Sequence, residues 1–441
     1  MRIPPEEMET CLRVLQQVSE DPALISNHER MKGLIAKIHK GGKKGARRAA
    51  QANGRREDRR LKESATVVRA RLGLESVPMP TDGARPAVGT LKTPAHCYVC
   101  KESYSIVHSF YHLLCPTCAA LNACKRLQRA DLTGRSALIT GGRIKIGYQT
   151  ALCLLRDGAR VLVTTRFPND AARRFGSEAD QGQWRDRLRI EGLDLRHLPA
   201  VEGFARDLLA SEPALDILIN NAAQTIKRPP AFYQHLLAAE GAALQLEAGP
   251  ELPGDMIDIA AHFPLGLYDA DGQPLDTRPI NSWRLRLEEI DTVEMLEVQV
   301  VNAVAPFLLN ARLKPLLLRS PFARRFIVNV SAMEGQFGRV SKTVYHPHTN
   351  MAKAALNMMT RTSAAGYAQD GIYMNSVDTG WVTDENPHPR KTRIQQERGF
   401  WTPLDSTDSV ARIYDPIVRG LTEETEPLFG HFLKDYAPHP W

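Results

Sequence analysis

Residues 136–140 and 159–164 are short apolar runs, and between them the apolar residues of 146–155 recur at helical spacing until Asp157-Gly158. Runs of this length suit parallel strands covered on both faces, and a glycine behind the last periodic position ends a helix. The pattern predicts strand, glycine turn, helix, strand. Residues 215–223 and 326–330 read as further buried strands, another strand is expected just ahead of Asp194, and 295–309 and 348–364 read as helices. The C-terminal stretch adds a last helix and strand with aromatic closure. These elements predict a doubly wound α/β domain with a parallel sheet. Near the N-terminus, Met8, Leu12, Leu15 and Val18 mark an amphipathic helix whose apolar side calls for a packing partner.

A chain of 441 residues, 43% of them hydrophobic, can bury a full core and has the length of about two or three domains. No apolar run approaches the ~20 residues of a membrane span. The N-terminal MRIPPEEMETCLRVL lacks the apolar core of a signal peptide, so a cytoplasmic protein with no membrane partner is expected.

Charge changes the picture. Residues 30–71 carry 15 Lys and Arg against 3 acids, a local +12, whereas the whole chain carries +7, so the remainder is at −5. This arm has no aromatic residue to stack on bases. Two partners fit it: nucleic acid, drawn through phosphates, or the acidic remainder of another subunit in a homo-oligomer. Residues 76–94, rich in Pro, Gly and Thr, read as a linker.

Seven cysteines make an odd count, and four of them form two knuckles: Cys97-x-x-Cys100, then fourteen residues, then Cys115-x-x-Cys118. In a cytosolic chain that spacing argues for a structural zinc site of four thiolates with no open position. The organisation expected is a helical basic arm at 1–75, a linker at 76–94, a zinc-ribbon-like module at 95–130, and an α/β domain at 131–441 interrupted by an insertion at 224–290.

The turn TGGRIKIG at 140–147 resembles the TGxxxGxG loop of the short-chain dehydrogenase/reductase family, and the resemblance runs from 131 to about 386. It implies a Rossmann domain whose Thr140, Gly141, Arg143, Lys145, Ile146 and Gly147 surround the cofactor phosphates. Lys145 stands where the family usually has its middle glycine and is similar to the basic residue of pteridine-reductase-like members; it would add a cation beside the phosphates. Thr165 and Arg166 follow the second strand, where members that prefer NAD carry a carboxylate. A hydroxyl followed by arginine suits a 2′-phosphate, hence NADP. Asp194 and Leu195 fall on the adenine contacts. The NNAA at 220–223 is similar to the family's NNAG, with Asn220 bracing the sheet and Asn221, Ala222 and Ala223 beside the ribose. NSVDTGWV at 375–382 resembles the segment that packs on the nicotinamide, which gives Gly380 and Val382 as contacts and leaves Thr379 in place of a proline.

For catalysis the resemblance implies Asn302 and Lys353. The family's tyrosine position is Thr349 and its usual serine position is Ala332, with Ser331 one residue early. Threonine does not exchange a proton near neutral pH. Tyr345, about one helical turn upstream, and His348, beside the vacant position, are the candidate proton donors, with Tyr345 ranked first. The insertion holds a helix candidate at 232–246, a Pro-Gly linker at 249–254 and a turn at 269–272, and is expected to cover a substrate pocket or build a subunit contact. The function expected is an NADP-dependent oxidoreductase acting on a small carbonyl or alcohol. The alternative is a chain that binds NADP without hydride transfer and serves as a sensor or scaffold through its zinc module and arm.

Overall fold

The computed structural model of the protein describes residues 3–72, 87–240, 262–264, 266–269, 271–339 and 341–441. Helices α1 (Pro5–Glu20), α2 (Glu29–Glu63) and α3 (Thr66–Arg71) lead into an antiparallel pair, β1 (Ala87–His96) and β2 (Ser103–His108), and then α4 (Pro116–Arg126). Strand β1 thus begins inside the stretch read as a linker, whose residues 76–86 lie outside the described residues. Among the described residues nothing covers the apolar side of α1: Met8, Leu12 and Leu15 are exposed, and the helix buries no residue.

The main sheet has eight strands in the order β10-β9-β8-β7-β6-β3-β4-β5. They are β3 (Ser136–Thr140), β4 (Arg160–Thr165), β5 (Leu188–Gly192), β6 (Ile217–Asn220), β7 (Arg325–Ser331), β8 (Ile372–Asp378), β9 (Phe432–Lys434) and β10 (Ala437–His439). All neighbours are parallel except the last hairpin of β9 and β10. Leu138 at the centre pairs with Leu162 on one side and Leu218 on the other. Helices cover both faces. On one, α5 (Lys145–Arg156) and α12 (Ser406–Thr422) pack over Ile139, Val163 and Val328. On the other, α7 (Leu198–Ser211) and α9 (Thr292–Leu318) pack over Leu138, Leu218 and Ile327. Each fully buried Leu or Ile is worth about 1.5–3 kcal/mol, so the sheet is a rigid base for its loops. Between the faces, Asn220 donates from Nδ2 to the side-chain oxygens of Asn310 and Asn329, both at 2.8 Å, and so braces the sheet as expected.

Helix α9 reaches a threshold that the count of uninterrupted apolar residues did not: its 27 residues have an 18-residue window of mean hydropathy 1.4, enough by length and composition to cross a membrane. Its apolar residues divide between the core, through Ala305, Leu309, Leu313 and Leu317, and an exposed side with Leu296, Val304 and Phe307. Helix α6 is Pro168–Gly176, and in the insertion a 3-10 turn at Pro230–Tyr233 leads into α8 (Gln234–Glu240); residues 241–246 of the helix expected over 232–246 lie outside the described residues. The Pro-Gly stretch at 249–254 lies outside the described residues. The sharp turn at 269–272 is present, with Gly272 N donating to Asp269 O at 2.9 Å.

The cysteine module does not stand apart from the α/β domain. Its buried Tyr104, Phe110 and Tyr111 share one core with Val67, Val68 and Leu404. Tyr111 donates to Asp408 Oδ1 at 2.6 Å, and Arg126 pairs with Asp405 and Asp408. Helix α10 is Pro347–Ala368 and α11 is His388–Arg398.

Candidate active site

The carboxyl ends of the parallel strands open into a cleft of about 1210 Å³. Of the residues expected to bind or react, Gly141, Arg143, Lys145, Ile146, Gly147, Thr165, Arg166, Asp194, Leu195, Asn221, Ala222, Ala223, Ser331, Tyr345, Thr349, Lys353, Gly380 and Val382 all line it. Thr140, Asn302 and His348 stand behind its walls.

The glycine turn works by closeness. A Cβ on Gly147 would lie 2.3 Å from the carbonyl oxygen of Gly141, so the first turn of α5 can approach the loop only with glycine there. Thr140 Oγ1 accepts the amides of Asn221 and Ala222 at 3.1 and 3.0 Å, and the Asn221 side chain returns to the carbonyls of Thr140 and Gly141. The two strand ends are thereby fixed to each other. Lys145 holds φ at +54°, a left-handed conformation that suits the glycine it replaces.

At the adenosine end, Thr165 Oγ1 accepts the amide of Phe167 at 3.1 Å. Among the described residues Arg166 makes no ion pair; its guanidinium stacks 4.6 Å from the Tyr233 ring and 5.4 Å from that of Phe167. Arg143 is already engaged, at 2.7 Å from Asp170, which also holds Arg174. Asp194 is clasped by Arg196 through two guanidinium nitrogens. The arginines beside Asp170 hold its carboxyl far below the usual range despite its burial.

At the other end, Lys353 is buried and donates to the carbonyl of Val330 at 2.8 Å, and burial lowers its ammonium to about 8. A Cβ on Gly335 would lie 2.6 Å from the Lys353 carbonyl carbon, so that glycine lets the loop after β7 sit on α10. Thr349 Oγ1 is buried and has no hydrogen-bond partner among the described residues. Ser331 turns away, donating to Asn357 at 2.6 Å. A π turn at Val300–Val304 places Asn302, which accepts the Gln224 amide at 2.7 Å and donates to the Gln224 carbonyl at 2.9 Å. Both halves of its amide are thus spent on the main chain, and it does not face the cleft as a catalytic group would.

His348 is corrected outright. It is packed between α10 and α9 with neither ring nitrogen hydrogen-bonded, its Nε2 3.6 Å from Glu294, and the cleft is out of its reach. One residue along a helix turns the side chain by about 100°, so a neighbour of Thr349 points elsewhere. Two titratable groups missed in the sequence occupy the cleft instead. His346, at the left-handed N-cap of α10, stacks on Trp283 of the insertion at 3.8 Å, with Nδ1 3.0 Å from the Trp283 carbonyl oxygen. Burial lowers its pKa. Its spacing of three before Thr349 was the available signal. Tyr345 also lines the cleft, under the Arg284 guanidinium at 3.7 Å.

The second is Asp378, at the end of β8, which accepts the Met333 amide at 3.2 Å. Burial, then the nearby Asp435 carboxylate, push it up to about 6. A carboxyl raised in the folded state contributes stability below about pH 4 that is lost as pH rises through 6. Asp378→Asn is therefore expected to stabilise the protein by roughly 3 kcal/mol at pH 7 and by nothing below pH 4. Thermal melts at both pH values check this; the same Tm difference at each would show that the carboxylate carries no penalty.

The cysteine knuckle forms part of the cleft wall through Tyr98, Val99 and Lys101. Tyr98 Oη accepts the Trp381 amide at 2.9 Å, in the segment expected to meet the nicotinamide. Behind it, the ligand atoms of Cys97, Cys100, Cys115 and Cys118 all lie within 4.8 Å of one another, with Cys100 and Cys115 Sγ 3.7 Å apart. Of the nearby histidines, His96 and His112 are occupied with the carbonyls of Lys101 and Trp401.

A parallel, doubly wound sheet with a glycine-turn cleft at its carboxyl edge defines a dinucleotide-binding Rossmann protein. Comparison with known proteins narrows the class. Residues 135–237 match the short chain dehydrogenase profile and 281–411 match that of enoyl-(acyl carrier protein) reductase, the gap between them falling within the insertion. The chain belongs to the short-chain dehydrogenase/reductase family, and is an oxidoreductase of that family. An uncharacterized protein of Acanthamoeba polyphaga mimivirus is 33% identical over 341 residues, 73% of this chain and 71% of that one. Dehydrogenase/reductase SDR family member 13 of Bos taurus is 39% identical over 115 residues, 26% of this chain and 28% of that protein. Mouse retinol dehydrogenase 13 is 36% identical over 98 residues, again 28% of its length, so the match to these dehydrogenases spans under a third of each. A short-chain dehydrogenase from Shigella flexneri superposes with a TM-score of 0.47 at 17% identity, covering 70% of this chain and 95% of that one.

Proposed function

We propose that the protein is an NADP(H)-linked oxidoreductase for a small carbonyl or alcohol, with a structural zinc ion in its N-terminal module. The observation that carries this reading is one continuous cleft lined at one end by Arg166, without an ion pair among the described residues, and at the other by the buried Lys353 and by His346. A nicotinamide cofactor bound there supplies or takes the hydride. Arg166 and Lys145 offer cations to a 2′-phosphate and to the pyrophosphate. Lys353, with Val330 as its anchor, holds the ribose hydroxyls. His346 exchanges the substrate proton through Nε2, because Nδ1 is tied to the Trp283 carbonyl. Its lowered pKa leaves the ring chiefly neutral at pH 7, ready to accept a proton from an alcohol. Carbonyl reduction needs the imidazolium, and its rate should rise as pH falls through the range below 6.5.

The four thiolates suit zinc by donor type and spacing. Sulfurs at ~2.3 Å from a tetrahedral ion lie ~3.8 Å apart; Cys100 and Cys115 stand at 3.7 Å, and all four sulfurs lie within 4.8 Å of one another.

Arg166→Ala tests the cofactor assignment. Calorimetry should show about a tenfold loss of NADP(H) affinity, about 1.4 kcal/mol, with NAD(H) binding unchanged. Equal losses for both nucleotides would mean that Arg166 does not meet a 2′-phosphate, and a parent protein that binds NADPH yet reduces no member of a broad carbonyl panel would favour the sensor reading.

A further inference from the structure

Helix α2 runs for 35 residues from Glu29 to Glu63, and none of them is buried. Only its last turns are tied to the body of the protein. Asp58 accepts the amides of Lys92 and Thr93, Glu57 pairs with Lys92, and Arg59 donates to the carbonyls of Gln395 and Gln396. The preceding residues from Lys37 to Asn53 are all exposed.

The cations on this projecting helix are sorted by face. There is no acid between Glu29 and Glu57, and ten Lys and Arg lie in that interval. At about 100° per residue, nine of the ten fall within an arc of roughly 160°: Arg30, Lys32, Lys37, Lys40, Lys43, Lys44, Arg47, Arg48 and Arg55. Arg56 alone lies outside it. The opposite face carries Met31, Leu34, Ile35 and Ile38 and then Gly41, Gly42, Gly45, Ala49 and Ala52. A helix that needed only solubility would scatter its charges and mix their signs, as an isolated solvated helix does with i,i+4 pairs. Over the projecting part, the ion pair among the described residues is Lys32 with Glu29.

We infer that this face binds the sugar-phosphate backbone of double-stranded nucleic acid without regard to sequence. From Arg30 to Arg55 the ladder of cations extends ~38 Å at 1.5 Å per residue. A duplex offers a charge of opposite sign about every 1.7 Å along its axis, a linear match that no compact acidic patch provides. The arm has no aromatic side chain on which an unpaired base could stack, which selects the duplex over the single strand. A membrane fits less well, since from Gly41 to Ala52 the face opposite the cations has no side chain larger than a methyl group to enter the lipid. The glycines add a dynamic consequence. A Cβ at Gly33, Gly41, Gly42 or Gly45 would meet nothing within 4 Å, so packing does not require them. Each costs about 1 kcal/mol of helix stability relative to alanine. With like charges crowded on one side, the free arm is a marginal helix, and phosphate neutralisation should complete it.

The test uses the full-length protein and a fluorescent 20-base-pair duplex, as DNA and as RNA, each in two unrelated sequences. Anisotropy should show binding at low salt that differs little between sequences and weakens on the order of 10³-fold between 50 and 200 mM salt. Helical circular dichroism should rise on binding. The variant K40E/K43E/K44E/R47E should lose binding at least on the order of 100-fold yet keep NADPH affinity, which confirms that its body is folded; Ala49→Gln, on the other face, should bind as the parent does. No binding at low salt, or binding that survives the four reversals, overturns the inference. So does equal affinity for vesicles of anionic phospholipid, or a change of oligomeric state in the reversed variant without any duplex binding by the parent.

Discussion

His346→Gln is expected to lower NADPH-dependent turnover by ~10²–10⁴-fold, the range that one positioned acid or base contributes, with cofactor affinity kept. Glutamine keeps a polar side chain of similar reach over Trp283 but cannot carry the proton. The residue is held by three independent features, namely its stacking on Trp283, its Nδ1 contact to the Trp283 carbonyl, and its backbone amide donating to Leu285 at 2.8 Å. The competitor is Tyr345, and Tyr345→Phe should cost less than about tenfold on this account. The pH profile separates chemistry from structure. A parent whose reduction rate climbs toward acid pH, and a variant whose profile is flat, identify His346 as the titrating group. Should Tyr345→Phe abolish turnover and His346→Gln leave it intact, the phenol is the donor and the histidine merely shapes the insertion.

Loss of the proposed zinc should have the largest effect on stability. For isolated zinc modules the binding energy is folding energy, on the order of 10 kcal/mol. Cys97→Ser is expected to abolish stoichiometric zinc and to add an early transition to the thermal melt, because the knuckle shares its core with Leu404 and clamps α12 through Asp405 and Asp408. Metal analysis beside calorimetry reads both effects. A parent that purifies without zinc in the absence of chelators, and melts as the variant does, would reduce the cysteines to structural thiols.

What the sequence disclosed followed the range of the forces involved. The glycine turn and the paired knuckles are local, since Gly147 must clear Gly141 only six residues away and each CxxC closes within one turn. Lys353 and Thr349 share a helix face and were marked by the resemblance of their helix to the family's. His346 was not, because its role depends on Trp283, brought in by the insertion from 63 residues away. Asp378 reads in sequence as an ordinary strand-end acid; its raised pKa comes from burial and from Asp435, on the hairpin that closes the sheet. The helix period would have rejected His348, the second candidate, which was named for its adjacency to Thr349 in the chain. The amphipathic pattern of α1 gave the helix, while the described residues leave its apolar side uncovered, since pattern specifies a face and not what meets it.

The contact between the knuckle and the Trp381 segment ties two equilibria together. Tyr98 receives the Trp381 amide, and Arg71, on the short helix before the module, donates to the carbonyls of Val382 and Thr402 at 3.1 Å. With the proposed zinc in the module, a loop held by it at one end and facing a nucleotide cleft at the other obeys reciprocity. Whatever factor a bound ion adds to nucleotide affinity, the nucleotide must add to the retention of the ion. A chelator would then strip the apoprotein faster than the nucleotide complex, and a fall in free metal would be registered as a fall in cofactor occupancy before any of the sheet unfolds.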